Sequence, residues 1–350
     1  MRQRKLLFGI LMPGIVALGL VTSCGSGAKK GAAGCSNQTI RLAYIASASS
    51  VFGTGAQAFA KEAKAKTDGR VTVKQFPGGQ LTNGNQQTEV QQTQQGVIDA
   101  EIVSPIILAL YVDPRFDIYS LPYLFPDEKT ALAVENGPVG RLTGDWLRAK
   151  SLEPMGWGVD GFRQVTNSTR PITTPSDLKG LKVRVAGSKI FKRIFSLLGA
   201  KPLTMNFGEV FTALQQHTID GEENPLSTIE TASLYNVQKY VSLWNYSYDP
   251  LVFVMNKNKF SQMCSKDQTA LRQASKAAGQ VQLDYTVNGD KKLAAKLGQQ
   301  GMQVTPMSQI DIAAFKAALV GPIYKEWRSI VGADNLAKMQ EAIKTAHTSK

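Results

Sequence analysis

From Ile40 to Met255 the chain alternates short apolar runs of strand type with amphipathic stretches of helix type, and this alternation restricts the fold more than anything else in the sequence. Strands are expected at Ile40–Ile45, Val71–Phe76, Ala100–Ser104, Met155–Val159, a run ending near Asn167, Leu181–Val185, Thr204–Phe207, Tyr240–Trp244 and Leu251–Met255. Helices are expected at Gly55–Lys66, Asn85–Gln95, Glu128–Asn136, Val139–Lys150, Ser188–Leu198 and Glu209–Gln216, with another starting at Pro225. This order predicts an α/β fold whose parallel strands are covered by helices. Three helical stretches follow: Lys266–Leu297, with an interruption expected near Gly289; Ile310–Val331, containing Pro322; and Asn335–Thr345. A chain of 350 residues has room for two lobes. The expected division is 39–160 plus 249–290 for the first and 161–248 plus 291–346 for the second. Extended crossovers between lobes make a hinge, and ligands of such sheets bind beyond the carboxyl ends of strands, in the crevice between halves.

The first residues are of a different kind. Arg2, Arg4 and Lys5 precede an apolar run from Leu6 to Val21, too short and wrongly flanked for a stable membrane span, which reads as a secretory signal over 1–23. The run ends Leu20-Val21-Thr22-Ser23-Cys24, like a bacterial lipobox, in which the cysteine thiol takes a diacylglycerol and becomes the new N-terminus. An ordinary signal peptide with an incidental cysteine is the alternative. Residues 24–38, with GSGAKKGAAG at their centre, read as a flexible tether. The expected location is therefore extracytoplasmic, on the outer face of the cytoplasmic membrane or in a periplasm. Cys35 and Cys264 remain, and an oxidising compartment permits them to pair or leaves them free. The formal charge of +13 can attract anions, anionic lipid or nucleic acid. However, the lysines are scattered and not interleaved with stacking aromatics, so nucleic-acid binding is not expected.

The candidate chemistry centres on one cation. Arg184 lies in Lys182-Val183-Arg184-Val185, where alternation sends the valines to one face and the arginine to the other. Its fork matches a carboxylate through two charge-assisted hydrogen bonds; the alternative is a surface arginine or one paired internally. Arg163, in GFRQVTN, reads as a second carboxylate contact or as a hinge arginine. Phe207, at an expected strand end, walls a pocket or joins the core. Asn224 caps a helix or touches a ligand. The adjacent Glu222 and Glu223 have no acid/base spacing and read as solvated or hinge-stabilising. His217 and His347 are far apart, and the chain has no HxH, HExxH or CxxC spacing, Walker loop, complete GxGxxG or GxSxG. Neither a metal, a cofactor nor an enzymatic site is expected.

These segments, taken with IRLAY, FPGGQL, GVIDAEIVSP, LPYLF, GFRQVTN, DLKGLKVRV, MNFGEVFTALQ and IDGEENPLSTI in that order, resemble the solute receptors of tripartite ATP-independent periplasmic (TRAP) transporters, the dicarboxylate-binding-protein family. The resemblance runs from about Ile40 to about Val331. It implies a two-lobed clamshell of the periplasmic-binding-protein type (type II), with long helices joining the lobes, that closes on an organic acid. It also implies that Arg184 makes the main carboxylate salt bridge, that Arg163 gives a second contact, and that Asn224 and Phe207 line the cleft. The partners implied are a small organic acid and a pair of integral-membrane permease subunits driven by an ion gradient. The chain departs from the family after FPGGQL, where LTNGNQQTEVQQTQQG lacks the family's Arg-Glu pair. Ser104 stands where sialic-acid receptors resemble one another in having a glutamate, which argues against that ligand. The Ser47–Ser50 run offers hydroxyls from the first lobe. A receptor for a sensor kinase would use the same clamshell.

Overall fold

The computed structural model describes residues 34–348. The signal segment and Cys24 lie outside the described residues. In chain order the elements are β1 (Gln38–Tyr44), α1 (Val51–Lys66), β2 (Val71–Phe76), α2 (Gln86–Gln95), β3 (Ala100–Val103), α3 (Pro105–Tyr111), α4 (Glu128–Glu135), α5 (Pro138–Arg148), β4 (Leu152–Asn167), β5 (Lys182–Val185), α6 (Lys189–Leu197), β6 (Lys201–Thr204), α7 (Phe207–Gln215), β7 (Gly221–Pro225), α8 (Leu226–Thr231), β8 (Tyr240–Ser242), β9 (Tyr248–Asn256), α9 (Lys257–Gln262), α10 (Ser265–Gln299), β10 (Gln303–Thr305), α11 (Ile312–Val331) and α12 (Ala333–Thr348). The strands run β2-β1-β3-β9-β4-β7-β5-β6, with β8 joining β4 to β10, so that β4 is shared by a first sheet (β2-β1-β3-β9-β4) and a second (β4, β7, β5, β6, β8 and β10).

One strand serves both lobes. Residues Leu152–Phe162 of β4 pair antiparallel with β9, and residues Arg163–Asn167 pair with β7, with Val165–Asn167 also pairing with β8. The handover falls between Phe162 and Arg163. The sequence divides this strand at Gly161, a residue that a strand disfavours; the structure carries the chain through by shifting register there.

The long helix α10 braces this strand. Its inner stripe is mostly small, with Ala270, Ala274, Ser275, Ala278 and Gly279 buried, so it lies close on α1 and β4. A Cβ at Gly279 would come within 2.1 Å of the Trp157 carbonyl, and one at Gly158 within 1.8 Å of Gln282 Oε1. Gln282 accepts from the Val159 amide (3.3 Å) and donates to the Val51 carbonyl (3.1 Å), tying α10 to β4 and to the start of α1. Further along, α10 packs on α8 and β10 of the second sheet, so a single helix spans both lobes. No break occurs at Gly289, whose helix cost of about 1 kcal/mol is outweighed by packing on either side. Pro322 likewise lies inside α11 without ending it. The terminal helices contact both halves: α11 packs on α6 and on the turn at Pro114–Ser120, and α12 packs on α4 and α5.

Two local readings of the sequence change. Thr204–Phe207 is not one strand: β6 ends at Thr204, and Phe207 opens α7 behind Asn206. Asn224 does not cap a helix; it lies inside β7, and Pro225 precedes α8. The seven-residue helix α3 has no sequence counterpart above, because PIILALY is apolar throughout and shows no periodicity.

Cys35 and Cys264 form a disulfide, with Cα atoms 5.2 Å apart, that fastens the start of the described chain to the N-terminus of α10. Because it closes 229 residues of sequence, replacing both cysteines with serine should lower unfolding stability by about 2–4 kcal/mol. Urea unfolding of the double variant checks this: an unchanged midpoint would show that the bond adds nothing.

Candidate functional site

The carboxyl ends of four strands converge on one small cavity of about 50 Å³. Ile45 and Ala46 follow β1, Ser104 follows β3, Ala186 follows β5, and Phe207 lies beyond β6. Arg163 and Asp160 reach it from β4, Asn224 from β7, Asp249 from β9 and Arg184 from β5. Next to its lining residues Phe52 and Thr228, the Val51 amide at the start of α1 donates to Ser227 Oγ in α8 (3.2 Å).

Arg184 is 2% exposed, yet no carboxylate lies within salt-bridge distance of it among the described residues. Its Nε and Nη2 donate to the Met205 carbonyl at 3.2 and 2.9 Å, which fixes the plane of the fork. The guanidinium sits 5.9 Å from the centre of the Phe207 ring. Burial lowers its pKa to about 10, against the pull of Glu223 and Glu222, so it remains a cation at neutral pH. A buried charge without a direct counter-ion is costly, and this one lines the cavity.

Arg163 is equally buried but heavily engaged. Nε donates to Glu223 Oε2 (2.5 Å), Nη1 to Asp249 Oδ2 (2.5 Å), and Nη2 to the Glu223 carbonyl, Glu223 Oε1 and Asn224 Oδ1. Burial opposes its charge, but Glu223 and Asp249 outweigh that and hold its pKa well above the ordinary value. This network joins β4, β7 and β9 where β4 changes partners, and Arg163 also lines the cavity. Asp249 is held from the other side by Ser104 Oγ (2.5 Å), which itself accepts from the Ile106 amide. The Ser104 hydroxyl proton is thereby committed within the protein. Tyr246 donates to Glu223 Oε2 (2.7 Å).

Asn224 is fixed at both ends of its amide, with Oδ1 accepting from Arg163 and Nδ2 donating to Glu222. Glu222 and Glu223 are fully buried, so the solvated alternative does not hold for either. Burial pushes Glu222 up to about 7, against hydrogen bonds from Asn224 and Thr166 that favour its ionised form.

Five residues singled out from the sequence, Arg184, Arg163, Asn224, Phe207 and Ser104, thus surround one cavity. Ser47 does not join them. Its Oγ contacts Ser49 Oγ (3.1 Å), and its carbonyl accepts from Ser50 Oγ, which folds the serine run into the turn that starts α1. Ser47 lines a neighbouring depression against Phe211 and Leu234. The sequence reading missed Gln86, Asp160, Thr228 and Asp249 on the cavity wall. Gln86 lies in the segment that departs from the family pattern, and the cues for Asp160 and Asp249 are pairings between distant strands.

The fold and this cleft define a two-lobed solute-binding protein. The family model described as "Bacterial extracellular solute-binding protein, family 7" matches residues 42–329, and the chain belongs to that family. It is similar to the 2,3-diketo-L-gulonate-binding periplasmic protein of Escherichia coli (strain K12), with 33% identity over 81% of this chain and 84% of the relative. A sugar acid binding protein from Advenella mimigardefordensis, solved in complex with galactonate, superposes with a TM-score of 0.84 at 31% identity, covering 89% of this chain and 100% of the other. A TRAP periplasmic solute binding protein from Polaromonas sp. JS666, bound to D-erythronate, gives 0.82 at 32% identity, covering 87% and 98%. The family is one of receptors for transport, which accounts for a cleft built to hold a solute instead of transforming it. Among the described residues no helix is long and apolar enough to cross a membrane.

The raised acids give a pH dependence. Glu222, Glu89 and Asp290 are each pushed up to about 7 by burial, so the folded chain binds these protons more tightly than the unfolded chain does. Their contribution favours folding near pH 4.5 and is lost as pH rises through 7. Urea unfolding of ligand-free protein should show stability falling by about 1 kcal/mol or more between pH 5 and pH 8, with a shallower fall in Glu222→Gln. A stability that rises across this range would contradict the burial of these groups as acids.

Proposed function

We propose that this protein is an extracytoplasmic receptor that binds an organic acid through an ion pair with Arg184 and delivers it to a TRAP-type secondary transporter. The observation that carries the reading is a guanidinium that is buried, oriented by the Met205 carbonyl, unpaired with any carboxylate of the described residues and exposed to a cavity between lobes. A carboxylate guest supplies the missing counter-charge, and low local dielectric strengthens the pair. Asn224 and Phe207 frame the guest. Arg163 acts chiefly by holding Glu223 and Asp249 in place, with its ring-facing side against Phe191. The acids held by structural relatives, galactonate and D-erythronate, support a carboxylate as the recognised group.

The lobes divide where β4 passes from β9 to β7, and 39–160 with 249–290 against 161–248 with 291–346 is the working division. A guest that touches both lobes stabilises the closed form over the open one, and only that difference shifts the population. The closed form is what the membrane subunits recognise. Delivery takes place outside the cytoplasm, with the protein tethered through a lipid on Cys24 after cleavage of 1–23.

Calorimetry with a panel of mono- and dicarboxylates tests the site. Arg184→Ala should weaken the cognate acid by about 2–5 kcal/mol, the cost of truncating one partner of a buried charge pair, which is roughly 30-fold or more. Arg184→Lys should recover part of that loss, because it restores charge without the fork. Wild-type affinity in Arg184→Ala would overturn the assignment.

A further inference from the structure

Among the described residues the cleft holds two further unsatisfied polar atoms, Asp160 Oδ1 and Thr228 Oγ1, and the first belongs to an acid. Asp160 lies at the register shift of β4 against β9: Val159 faces Pro250 and Gly161 faces Asp249, leaving Asp160 as the extra residue of a bulge. Gly161 has φ of 119°, a backbone conformation that side chains rarely adopt. In a regular strand Asp160 and Arg163, three positions apart, would leave opposite faces. The bulge breaks that alternation, and both line the cavity.

Asp160 is 4% exposed, and its Oδ1 is buried without a hydrogen-bond partner. The other charges on the wall are arranged differently. Asp249 is held by Arg163 and Ser104, and Arg163 is held by Glu223 and Asp249. Subtracting those pairs leaves one cation, Arg184, and one acid, Asp160, for the guest. Buried polar atoms are almost always satisfied, so one left open on a cavity wall is a position for a ligand group.

We propose that Asp160 determines specificity by taking a hydroxyl of the guest, so that the cleft selects hydroxylated monocarboxylates over dicarboxylates. This rests on the reading of Arg184 as the carboxylate anchor. A hydroxyl serves Asp160 in either protonation state, donating to the carboxylate or accepting from the carboxylic acid. Burial and the neighbouring Asp249 hold the Asp160 carboxyl well above the usual range, against the pull of Arg163. A second guest carboxylate has no such latitude. It is repelled by ionised Asp160 at low dielectric, and it is tolerated only where Asp160 retains its proton. An apolar chain in place of the hydroxyl leaves Oδ1 unpaired, the situation in which polar sites reject deoxy analogues most strongly.

The test is calorimetry with matched four- to six-carbon series: aldonates, the corresponding unsubstituted monocarboxylates, and α,ω-dicarboxylates. Wild type should bind its best aldonate about tenfold or more tighter than the unsubstituted and dicarboxylate members of equal length. Asp160→Ala should erase the preference for the hydroxylated acid over the unsubstituted one while leaving the latter within about threefold. Asp160→Asn keeps a carbonyl acceptor but no ionisable group; it should retain most of the aldonate affinity and gain about tenfold for the dicarboxylate relative to wild type. If Arg184→Ala weakens every acid but neither Asp160 variant changes the ratios between series, this inference falls and the carboxylate anchor stands. If Arg184→Ala changes nothing, or wild type binds no acid, both fall. Equal wild-type affinity for aldonate and dicarboxylate also overturns the inference.

Discussion

A buried guanidinium that meets no carboxylate among the described residues lines this cleft. Most arginines that are fully buried bring their counter-ions with them, as Arg163 does with Glu223 and Asp249. Among the described residues Arg184 meets only a backbone carbonyl, which orients the fork without neutralising it. Two arginines of one cavity differ in what they meet: Arg163, on β4, ties β4, β7 and β9 together at the crossing, and Arg184, on β5 beyond β7, meets no carboxylate among the described residues. The acids close behind Arg184 are Glu222, which burial pushes toward protonation, and Glu223, which is engaged by Arg163. Their field favours the charged guanidinium without filling its hydrogen-bonding positions.

The surrounding fold makes that arrangement affordable. Arg184 sits on a short strand of the second sheet, while Ser104, Ile45 and Ala46 reach the cavity from strand ends of the first. Small residues along α10 let a single helix lie against the crossing strand and run on to the second sheet. The result is two lobes joined where β4 passes from β9 to β7, between Phe162 and Arg163.

Local patterns in the sequence sufficed for features that are themselves local. Alternation in Lys182–Val185 was enough to send Arg184 away from its neighbouring valines, and the polar run Asn85–Gln95, read as a helix, forms α2 over Gln86–Gln95 with Asn85 as its N-cap. Features set by distant pairing were not visible. Asp249 is 86 residues from Arg163, so nothing near GFRQVTN announced that this arginine would be paired. Asp160 reaches the cavity through a bulge, and a bulge is a relation between β4 and β9, not a property of either alone. Ser47 lines a depression that shares Ile45, Ala46, Phe207 and Thr228 with the cavity, and its carbonyl takes part in the turn ahead of α1. Family resemblance carried Asn224 to the cleft where its own context suggested a cap, while the Gly289 break was a propensity argument that packing overrode.

The most direct test is to identify what the protein already holds. Protein purified without refolding is denatured, and released small molecules are identified and counted by mass spectrometry, for wild type and Arg184→Ala side by side. The account predicts an organic carboxylic acid released from wild type and missing from the variant. A neutral or cationic solute in wild type, or the same acid released in equal amount from both, would contradict it.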